Sequence, residues 1–426
     1  MLISFNVENF LSFKDGQELS LVSTDKKNTQ YSFRTSDNKL QLLHGVVIFG
    51  ANAAGKSNLI VAMHRMKHFV LNSVDHKEGK KLSITPFLLN SNTKEEATKF
   101  EIEFFHKNIR YRYGFLTDDK KIVDEWLFYR KSDTYKENKM FDRTYSNWGE
   151  FLVSANNQGK SFYQSIATRT NPQQLFLSKA AGGENAEMLK PIYEWFRDVL
   201  LFDSDIDIKA TFNSVLSGKK KEILNFLQVA DLSIHDLDIE AKEFDKNEMK
   251  KKMLEQEVPE VLQSRILEEI EGEIEYKVRT VHLGENNQIV TLPLSLESAG
   301  TNKMIEYAGT ILDVLLNGKV LVIDELEDSL HPLLLDHLVR IFNESKSTAQ
   351  IVFTTHAVNL MTPEKLQRDQ IWFVDKNVRQ ESELYSFMDF SPRNDGRESW
   401  GKRYLHGFYG GIPYICPTQN QVQNGD

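Results

Sequence analysis

The sequence predicts an α/β fold that is built by both ends of the chain and interrupted by a long insertion. Three observations predict it. A glycine-rich loop lies between an apolar strand and a helix near residue 50, and a second apolar strand ends in two carboxylates near residue 324. Between them the pattern changes from short alternating runs to helical spacing, which indicates a strand-rich part followed by a helical part. A compact α/β core does not need so many residues between these motifs, so we expect the middle of the chain to be inserted.

The loop at residues 50–57 matches the pattern G-x-x-x-x-G-K-[ST]. Its glycines let the backbone curl so that N–H groups point at phosphate oxygens. Lys56 would bring a positive charge to the β- and γ-phosphates, and the Ser57 hydroxyl would bind Mg²⁺. Because a strand at residues 46–49 and a helix at residues 58–63 flank the loop, an ordinary strand–turn–helix is the weaker interpretation. The predicted ATP-binding residues of the loop are Gly50, Asn52, Ala53, Ala54, Gly55, Lys56, Ser57 and Asn58.

Residues 319–325 form an apolar run that ends in Asp324 and Glu325. Asp324, at the tip of the strand, would hold the hydration shell of the metal, and Glu325 would polarise a water for in-line attack on the γ-phosphate. The alternative is a strand that simply ends in acidic residues, which the upstream loop makes less attractive. We therefore expect Mg²⁺ between Ser57 and Asp324, with Glu325 as a catalytic residue.

Three further motifs surround this strand. Ser298, Gly300 and Thr301 come directly before a helical pattern, where backbone N–H groups and the helix dipole favour an anion. Residues 328–332 form a short turn that opens another helix. The strand at residues 350–355 ends in His356, whose imidazole would hydrogen-bond the γ-phosphate and sense its loss. His356 is therefore a second candidate catalytic residue.

The order of these motifs resembles that of ABC-type ATPases of the SMC, RecF and OLD kind. Those proteins have a Walker A loop, a long insertion, a signature motif, Walker B, a D-loop and a switch histidine, and the resemblance covers residues 1–70 and 285–375. A closer resemblance is to a bacterial family of stand-alone ABC-type ATPases encoded in two-gene phage-defence pairs, of the PARIS, AbiL and Rlo types. It is carried by the signature at residues 297–301, the turn at residues 329–332 and the segment at residues 404–413.

The resemblance implies a P-loop ABC-type ATPase head in which two copies sandwich two ATP molecules. Lys56 and Ser57 of one head would face Ser298 and Gly300 of the other. The resemblance also implies a homo-oligomer that acts as a nucleotide-gated sensor and scaffold in antiviral defence. It would control a separately encoded effector, a Toprim-like or Rlo-type nuclease, with a nucleic acid or a phage protein as the trigger. The competing interpretations are an SMC- or RecF-like DNA-repair ATPase that binds DNA directly, and a nucleotide-gated assembly module with negligible turnover.

The expected organisation has four parts. Residues 1–80 and 281–426 build the ATPase head, residues 81–180 form a β-rich insertion, and residues 181–280 form a helical lid. In the β-rich part, the alternating arginines and tyrosines at residues 110–113 are interpreted as a cross-strand ladder rather than a base-stacking surface. The glutamine that contacts Mg²⁺ in ABC-type ATPases is not clearly placed. Gln173 and Gln174 are its candidates, with a surface loop as the alternative.

Composition favours a cytoplasmic protein without disulfides. The chain has one cysteine, a net charge of −9 and no apolar run long enough to cross a membrane. The negative net charge argues against binding of nucleic acid by the whole surface, but it does not exclude a local basic groove. The acidic run at residues 203–207 is interpreted as a loop rather than a nuclease metal site. The short segment after Lys376 has no nuclease motif, so we expect any nuclease to be another chain.

Overall fold

The computed structural model of the protein describes residues 1–24, 30–131, 136–144, 165–182, 186–229, 233–244, 246–255, 258–269, 274–390 and 399–413. The chain divides into two compact units: a major unit of Met1–Asp205 with Val314–Asp426, and an inserted unit of Ile206–Asp313. The sequence predicted boundaries near residues 80, 180 and 280, whereas this division falls at residues 205 and 313. The strands expected as a separate insertion share one hydrophobic core with the parallel strands of the major unit.

The strands of the described residues are β1 (Leu2–Glu8), β2 (Gln17–Ser20), β3 (Ser32–Arg34), β4 (Gln41–Leu43), β5 (Gly45–Phe49), β6 (Thr98–His106), β7 (Ile109–Thr117), β8 (Ile122–Lys131), β9 (Asn138–Thr144), β10 (Leu200–Phe202), β11 (Asp236–Glu243), β12 (Ile274–Leu283), β13 (Ile289–Pro293), β14 (Val320–Ile323), β15 (Gln350–Thr354), β16 (Ile371–Lys376) and β17 (Ser382–Ser386). The α-helices of the same residues are α1 (Lys56–Asn72), α2 (Phe176–Ala181), α3 (Lys190–Glu194), α4 (Ile208–Ser214), α5 (Lys220–Val229), α6 (Lys246–Glu255), α7 (Glu260–Glu269), α8 (Ala299–Asn317), α9 (Pro332–Asn343) and α10 (Trp400–Leu405). No helix in the described ranges has both the length and the apolar character needed to cross a membrane.

A six-stranded sheet with the order β10–β14–β15–β5–β16–β17 forms the centre of the major unit. Its strands pair in parallel, except that β17 is antiparallel to β16. Every residue of β5, β14 and β15 is buried, as expected for parallel strands that are covered on both faces. The carboxyl ends of parallel strands meet at one edge of a sheet, so the loops after β5, β14 and β15 are neighbours.

A second six-stranded sheet, with the order β2–β1–β6–β7–β8–β9, is antiparallel throughout. Phe104 of this sheet stacks on Trp195, with ring centroids 4.1 Å apart. Tyr111 and Tyr113 of β7 are buried, while Arg112 between them pairs with a glutamate of β6. The tyrosines of this stripe are therefore part of the core, and their rings are not accessible to bases, whereas the half-exposed arginines form salt bridges with β6.

A buried ion pair ties the antiparallel sheet to α2. Arg143 Nε lies 2.9 Å from Glu125 Oε2, and both side chains are almost inaccessible to solvent. Glu125 also accepts hydrogen bonds from the N–H groups of Phe176 at 2.7 Å and Leu177 at 3.0 Å. Buried charges are costly unless they are paired and hydrogen-bonded. The network therefore fixes where the chain enters α2.

The inserted unit contains the three-stranded antiparallel sheet β11–β12–β13 and the helices α4–α7. The sequence predicts a helical lid over much of this region, so the three-stranded sheet differs from that prediction. Two of its strands alternate apolar and charged residues, as Leu237, Ile239 and Ala241 do in β11, so the sequence carries a strand signal here that the prediction of a helical lid passed over. Gly309 of α8 contacts α4 directly, because a Cβ there would lie 2.2 Å from Thr211 N.

Candidate nucleotide-binding site

The loop between β5 and α1 needs glycine at two positions. Gly55, the residue before α1, has φ +118°, and a Cβ there would lie 2.4 Å from Ser382 Oγ. A Cβ on Gly50 would lie 2.4 Å from the carbonyl oxygen of Val374. Ser382 also donates a hydrogen bond to Ala54 O. The loop is thus in direct contact with β16 and β17, and only glycines allow this close approach.

The other predicted residues of the loop differ in exposure. Ala54 is buried with the glycine that follows it, and Asn58 Nδ2 donates to Ser12 Oγ at 2.7 Å. The Asn58 side chain therefore ties the start of α1 to the segment after β1. The exposed members of the loop are Asn52, Ala53 and Ser57. These residues leave part of the loop backbone and the Ser57 hydroxyl accessible to a ligand.

Lys56 opens α1, and its side chain is buried in the loop. The ammonium donates to Gly50 O at 3.0 Å and to Ala51 O at 3.2 Å. It also lies 3.0 Å from His356 Nε2. Because an ammonium can only donate, His356 Nε2 accepts this hydrogen bond. The lysine is therefore held in place by the loop and by the histidine that follows β15.

Three carboxylates near the end of β14 act on Lys56. Burial lowers the pKa of its ammonium from the usual value, and the charges of Glu325, Asp324 and Glu327 oppose this shift. The four groups lie at the same edge of the sheet, because Lys56 follows β5 and the three carboxylates follow β14. β14 pairs in parallel with β15, and β15 pairs in parallel with β5. This pairing brings the three carboxylates near Lys56, although they are far from it in the sequence.

Thr354, the last residue of β15, joins the two predicted acidic residues. Its hydroxyl donates to Asp324 Oδ1 and accepts from Glu325 N–H at 2.7 Å. Glu325 has φ +50°, a left-handed conformation that is uncommon for a residue with a side chain. Backbone strain of this kind often marks functional sites. The sequence motifs predict no role for Thr354, although its place two residues before His356 at the end of a buried strand was a usable signal.

His356 is also fixed through its backbone. Its N–H donates to Glu327 Oε1, so the histidine contacts both the turn after β14 and the Lys56 ammonium. The sequence analysis missed Glu327 as well, because it lies in a turn and outside the predicted motifs. The structure thus brings Lys56, Asp324, Glu325 and His356 to one edge of the parallel sheet.

Ser57 and Asp324 are the residues that would hold Mg²⁺. Ser57 is exposed in the first turn of α1, and Asp324 follows β14 with one carboxylate oxygen bound by Thr354. Hydroxyl and carboxylate oxygens are ligands that Mg²⁺ prefers in proteins. The donor set therefore fits this metal.

The acidic run at residues 203–207 follows β10 at the same edge of the sheet. Asp205 Oδ2 lies 2.6 Å from Lys67 Nζ of α1 and also accepts from Phe202 N–H. Asp203 accepts from the N–H of Ser204. Throughout the part of the chain that the structure describes, no group of three or more His, Cys, Asp or Glu residues could hold a metal ion. Asp205 is therefore used as an ion-pair partner of α1.

Gln173 and Gln174 lie away from this site. Their side-chain amides donate to Lys120 O and Val74 O, both at 2.6 Å. Val74 follows the C-terminal end of α1, which has 17 residues and is about 25 Å long, whereas Ser57 is at the other end. The interpretation of these glutamines as metal contacts is therefore wrong. They anchor the turn that leads into α2.

In the inserted unit, Ser298 caps α8. Thr301 N–H donates to Ser298 Oγ at 3.0 Å, and the two hydroxyls lie 2.8 Å apart. Glu297 accepts from His282 Nε2 at 2.7 Å and from a threonine hydroxyl of β12. Ser298 is exposed and Gly300 is half-buried, whereas Thr301 is buried. Ser298 and Gly300 are thus accessible, and Thr301 supports the cap from inside.

The sheet order, the loop after β5 and the acidic edge beside it define a P-loop α/β fold. The chain belongs to the AAA_21 family, described as "AAA domain, putative AbiEii toxin, Type IV TA system", whose sequence profile matches residues 46–362. Among curated proteins, no sequence matches this chain.

Two solved structures of SMC heads are similar to this chain. The SMC head domain from Thermotoga maritima has a TM-score of 0.39 and 13% identity, over 90% of this chain and 98% of that one. The SmcHead bound to the C-winged helix domain of ScpA has a TM-score of 0.43 and 11% identity, over 90% of this chain and 97% of that one. The fold class follows from the sheet order and the loop, independently of these similarities.

Proposed function

We propose that this chain binds and hydrolyses ATP with Mg²⁺. The observation that supports this most is the meeting of Lys56 and His356 beside the carboxylates of Asp324 and Glu325. One edge of the sheet then provides a cation that can bind phosphates, oxygen atoms that can bind a metal ion and a carboxylate that can orient a water molecule. Phosphoryl transfer depends on the positioning of such groups more than on covalent chemistry.

Each residue has a separate role in this proposal. The loop N–H groups and the Lys56 ammonium bind the β- and γ-phosphate oxygens. Mg²⁺, when bound by Ser57 and Asp324, neutralises charge on the phosphates. Glu325 orients the attacking water and accepts its proton. His356 exchanges its contact with Lys56 for one with the γ-phosphate, so its position depends on the nucleotide state.

The proposal extends to assembly and to a biological role. Two copies associate when the exposed Ser298 and Gly300 of one contact the γ-phosphate bound by the other, and hydrolysis releases them. ATP is then a conformational clamp. We place this clamp in antiviral defence, as a sensor and scaffold that holds or releases a separately encoded nuclease. The resemblance of the motifs to those of defence ATPases supports this role, and the family description, which names a putative toxin of a type IV TA system, is compatible with a two-component system.

Two variants test the ATPase proposal. Glu325→Gln should keep ATP binding and lower turnover about a hundredfold or more, because the carboxylate that accepts the proton is lost while Asp324 is retained. Lys56→Ala should instead lose ATP binding. Lys94→Ala, which alters an exposed lysine of the same unit, is the control and should do neither. Equilibrium binding and phosphate release measure the two effects. If Glu325→Gln hydrolysed ATP at the wild-type rate, Glu325 would not be the residue that orients the attacking water.

A further inference from the structure

Residues 399–413, called the brace segment here, have no part in the chemistry proposed above. The segment begins with α10, which lies on the turn after β15. Gly401 N–H donates to Met361 O at 3.2 Å, and a Cβ on Gly401 would lie 2.8 Å from Val358 Cγ1. The helix therefore touches this turn directly, and a side chain at position 401 would force the two apart.

After α10, the brace segment turns over the end of β16. Gly410 and Gly411 have φ +68° and +65°, which glycine adopts without strain. Gly411 N–H donates to Asp375 Oδ2 at 2.8 Å, and Tyr404 OH donates to Gly411 O at 2.8 Å. Burial, together with the nearby Asp375 charge, raises the pKa of Tyr404 to about 12, so its hydroxyl is a donor at neutral pH. Two side chains thus hold both polar atoms of one glycine.

The glycine held in this way lies against the phosphate-binding loop. A Cβ on Gly411 would lie 3.5 Å from Gly50 Cα, which is van der Waals distance. The Tyr404 ring also lies beside Phe49, with ring centroids 6.0 Å apart. Gly50 therefore contacts Val374 of β16 directly and lies so close to the brace segment that a side chain at position 411 would touch it.

This contact has a consequence for ligand binding. Glycine has the greatest backbone freedom of all residues, so an unsupported Gly50 would sample many conformations. A loop that binds phosphate through backbone N–H groups loses affinity when those groups must be ordered on binding. A segment that fixes Gly50 in advance removes part of this cost.

We propose that the brace segment is a positioning element that holds Gly50 in its phosphate-binding conformation. Asp375 and Tyr404 are its positioning residues. They raise the affinity of the loop for the triphosphate of a nucleotide. The inference rests on the proposed function, because it requires that the loop after β5 binds a nucleoside triphosphate.

Two matched pairs of variants in the full chain test the proposal. Asp375→Ala removes the acceptor for Gly411 N–H, whereas Asp375→Asn removes the same charge and keeps an acceptor oxygen. Tyr404→Phe removes a hydroxyl and keeps the ring. Its control is Tyr193→Phe, which removes a hydroxyl that donates to Leu71 O at 3.3 Å near the other end of α1. The measurements are the Kd of a fluorescent ATP analogue with Mg²⁺ and the Tm of the nucleotide-free protein.

We expect Asp375→Ala and Tyr404→Phe to raise the Kd about five- to tenfold over their controls, as for one lost hydrogen bond. A structural role alone would lower the Tm and leave the Kd equal within each pair, and that result would overturn the positioning role. If the wild-type chain binds no analogue, the proposed function is wrong, and this inference is wrong as well because it depends on that function. If the wild type binds and both variants bind like their controls, the inference alone fails.

Discussion

Thr354 is fully buried, and its one hydroxyl serves two partners in the acidic turn after β14. It orients the carboxylate of Asp324 and satisfies the N–H of Glu325, a residue with a left-handed backbone. A buried donor or acceptor that loses its partner costs about 1–3 kcal/mol. At the residue scale, the proposed chemistry therefore depends on a side chain to which the sequence motifs assign no role.

Replacement of Thr354 by valine should separate this role from packing. Thr354→Val keeps the shape and removes the hydroxyl, so we expect kcat to fall about 10- to 100-fold, as for other residues that orient metal ligands. Phosphate release at saturating ATP measures the effect. Thr354→Ser should restore most of the activity, because it returns the hydroxyl.

Thr98 provides the control for Thr354→Val. Its hydroxyl is also buried, and it donates to Asn9 O at 2.7 Å in the antiparallel sheet. Thr98→Val should lower stability by a similar amount and leave kcat unchanged. Equal losses of kcat in both variants would show that the effect arises from stability and not from the acidic turn.

At the scale of elements, the start of α8 combines a helix cap with an accessible surface. Ser298 satisfies the Thr301 N–H and is itself exposed, while Glu297 is tied to β12 through His282. The same serine can therefore stabilise the helix and meet a partner. An N-cap serine is worth about 1 kcal/mol, which is small beside the stability of a chain of this size.

Ser298→Arg should leave nucleotide binding intact and abolish ATP-dependent association. The long cationic side chain would fill the space needed for the γ-phosphate of the partner. Light scattering with a slowly hydrolysed ATP analogue measures association, and a fluorescent analogue measures binding. Ser298→Thr keeps the cap and the hydroxyl, so it should associate like the wild type. Unchanged association of Ser298→Arg would mean that Ser298 does not lie across an interface.

Elements with strong local patterns could be predicted from the sequence. The loop at residues 50–57 and the strand that ends at Asp324 follow from short motifs, and the parallel sheet follows from their flanking apolar runs. The sheet of the inserted unit was not predicted, although β11 and β12 alternate apolar and charged residues, because the helical pattern beside these strands was extended over them. The proximity of Gly50 to Gly411 was also not predicted, since these residues are distant in sequence and carry no local signal.

At the scale of the whole molecule, the negative charge of −9 disfavours broad electrostatic attraction to nucleic acid. Two acidic residues at the carboxyl edge of the parallel sheet have partners within the proposed ATPase site. Asp324 is bound by Thr354, and Glu327 by the backbone of His356. These contacts favour the proposal that the chain transmits a nucleotide state to a partner and does not itself cleave nucleic acid.

We predict that the purified chain alone has no nuclease activity on DNA or RNA, with or without ATP and Mg²⁺. The acidic turn after β10 is the strongest alternative, but Asp205 pairs with Lys67, and the described residues hold no cluster of three or more metal-binding side chains. Toxicity in cells should then require a second gene, and Glu325→Gln should change whether that partner is held. The decisive result is nucleic-acid cleavage by highly purified protein that Asp203→Ala abolishes while ATP turnover survives. In that case the acidic turn is a metal site, and a self-contained nuclease replaces the scaffold.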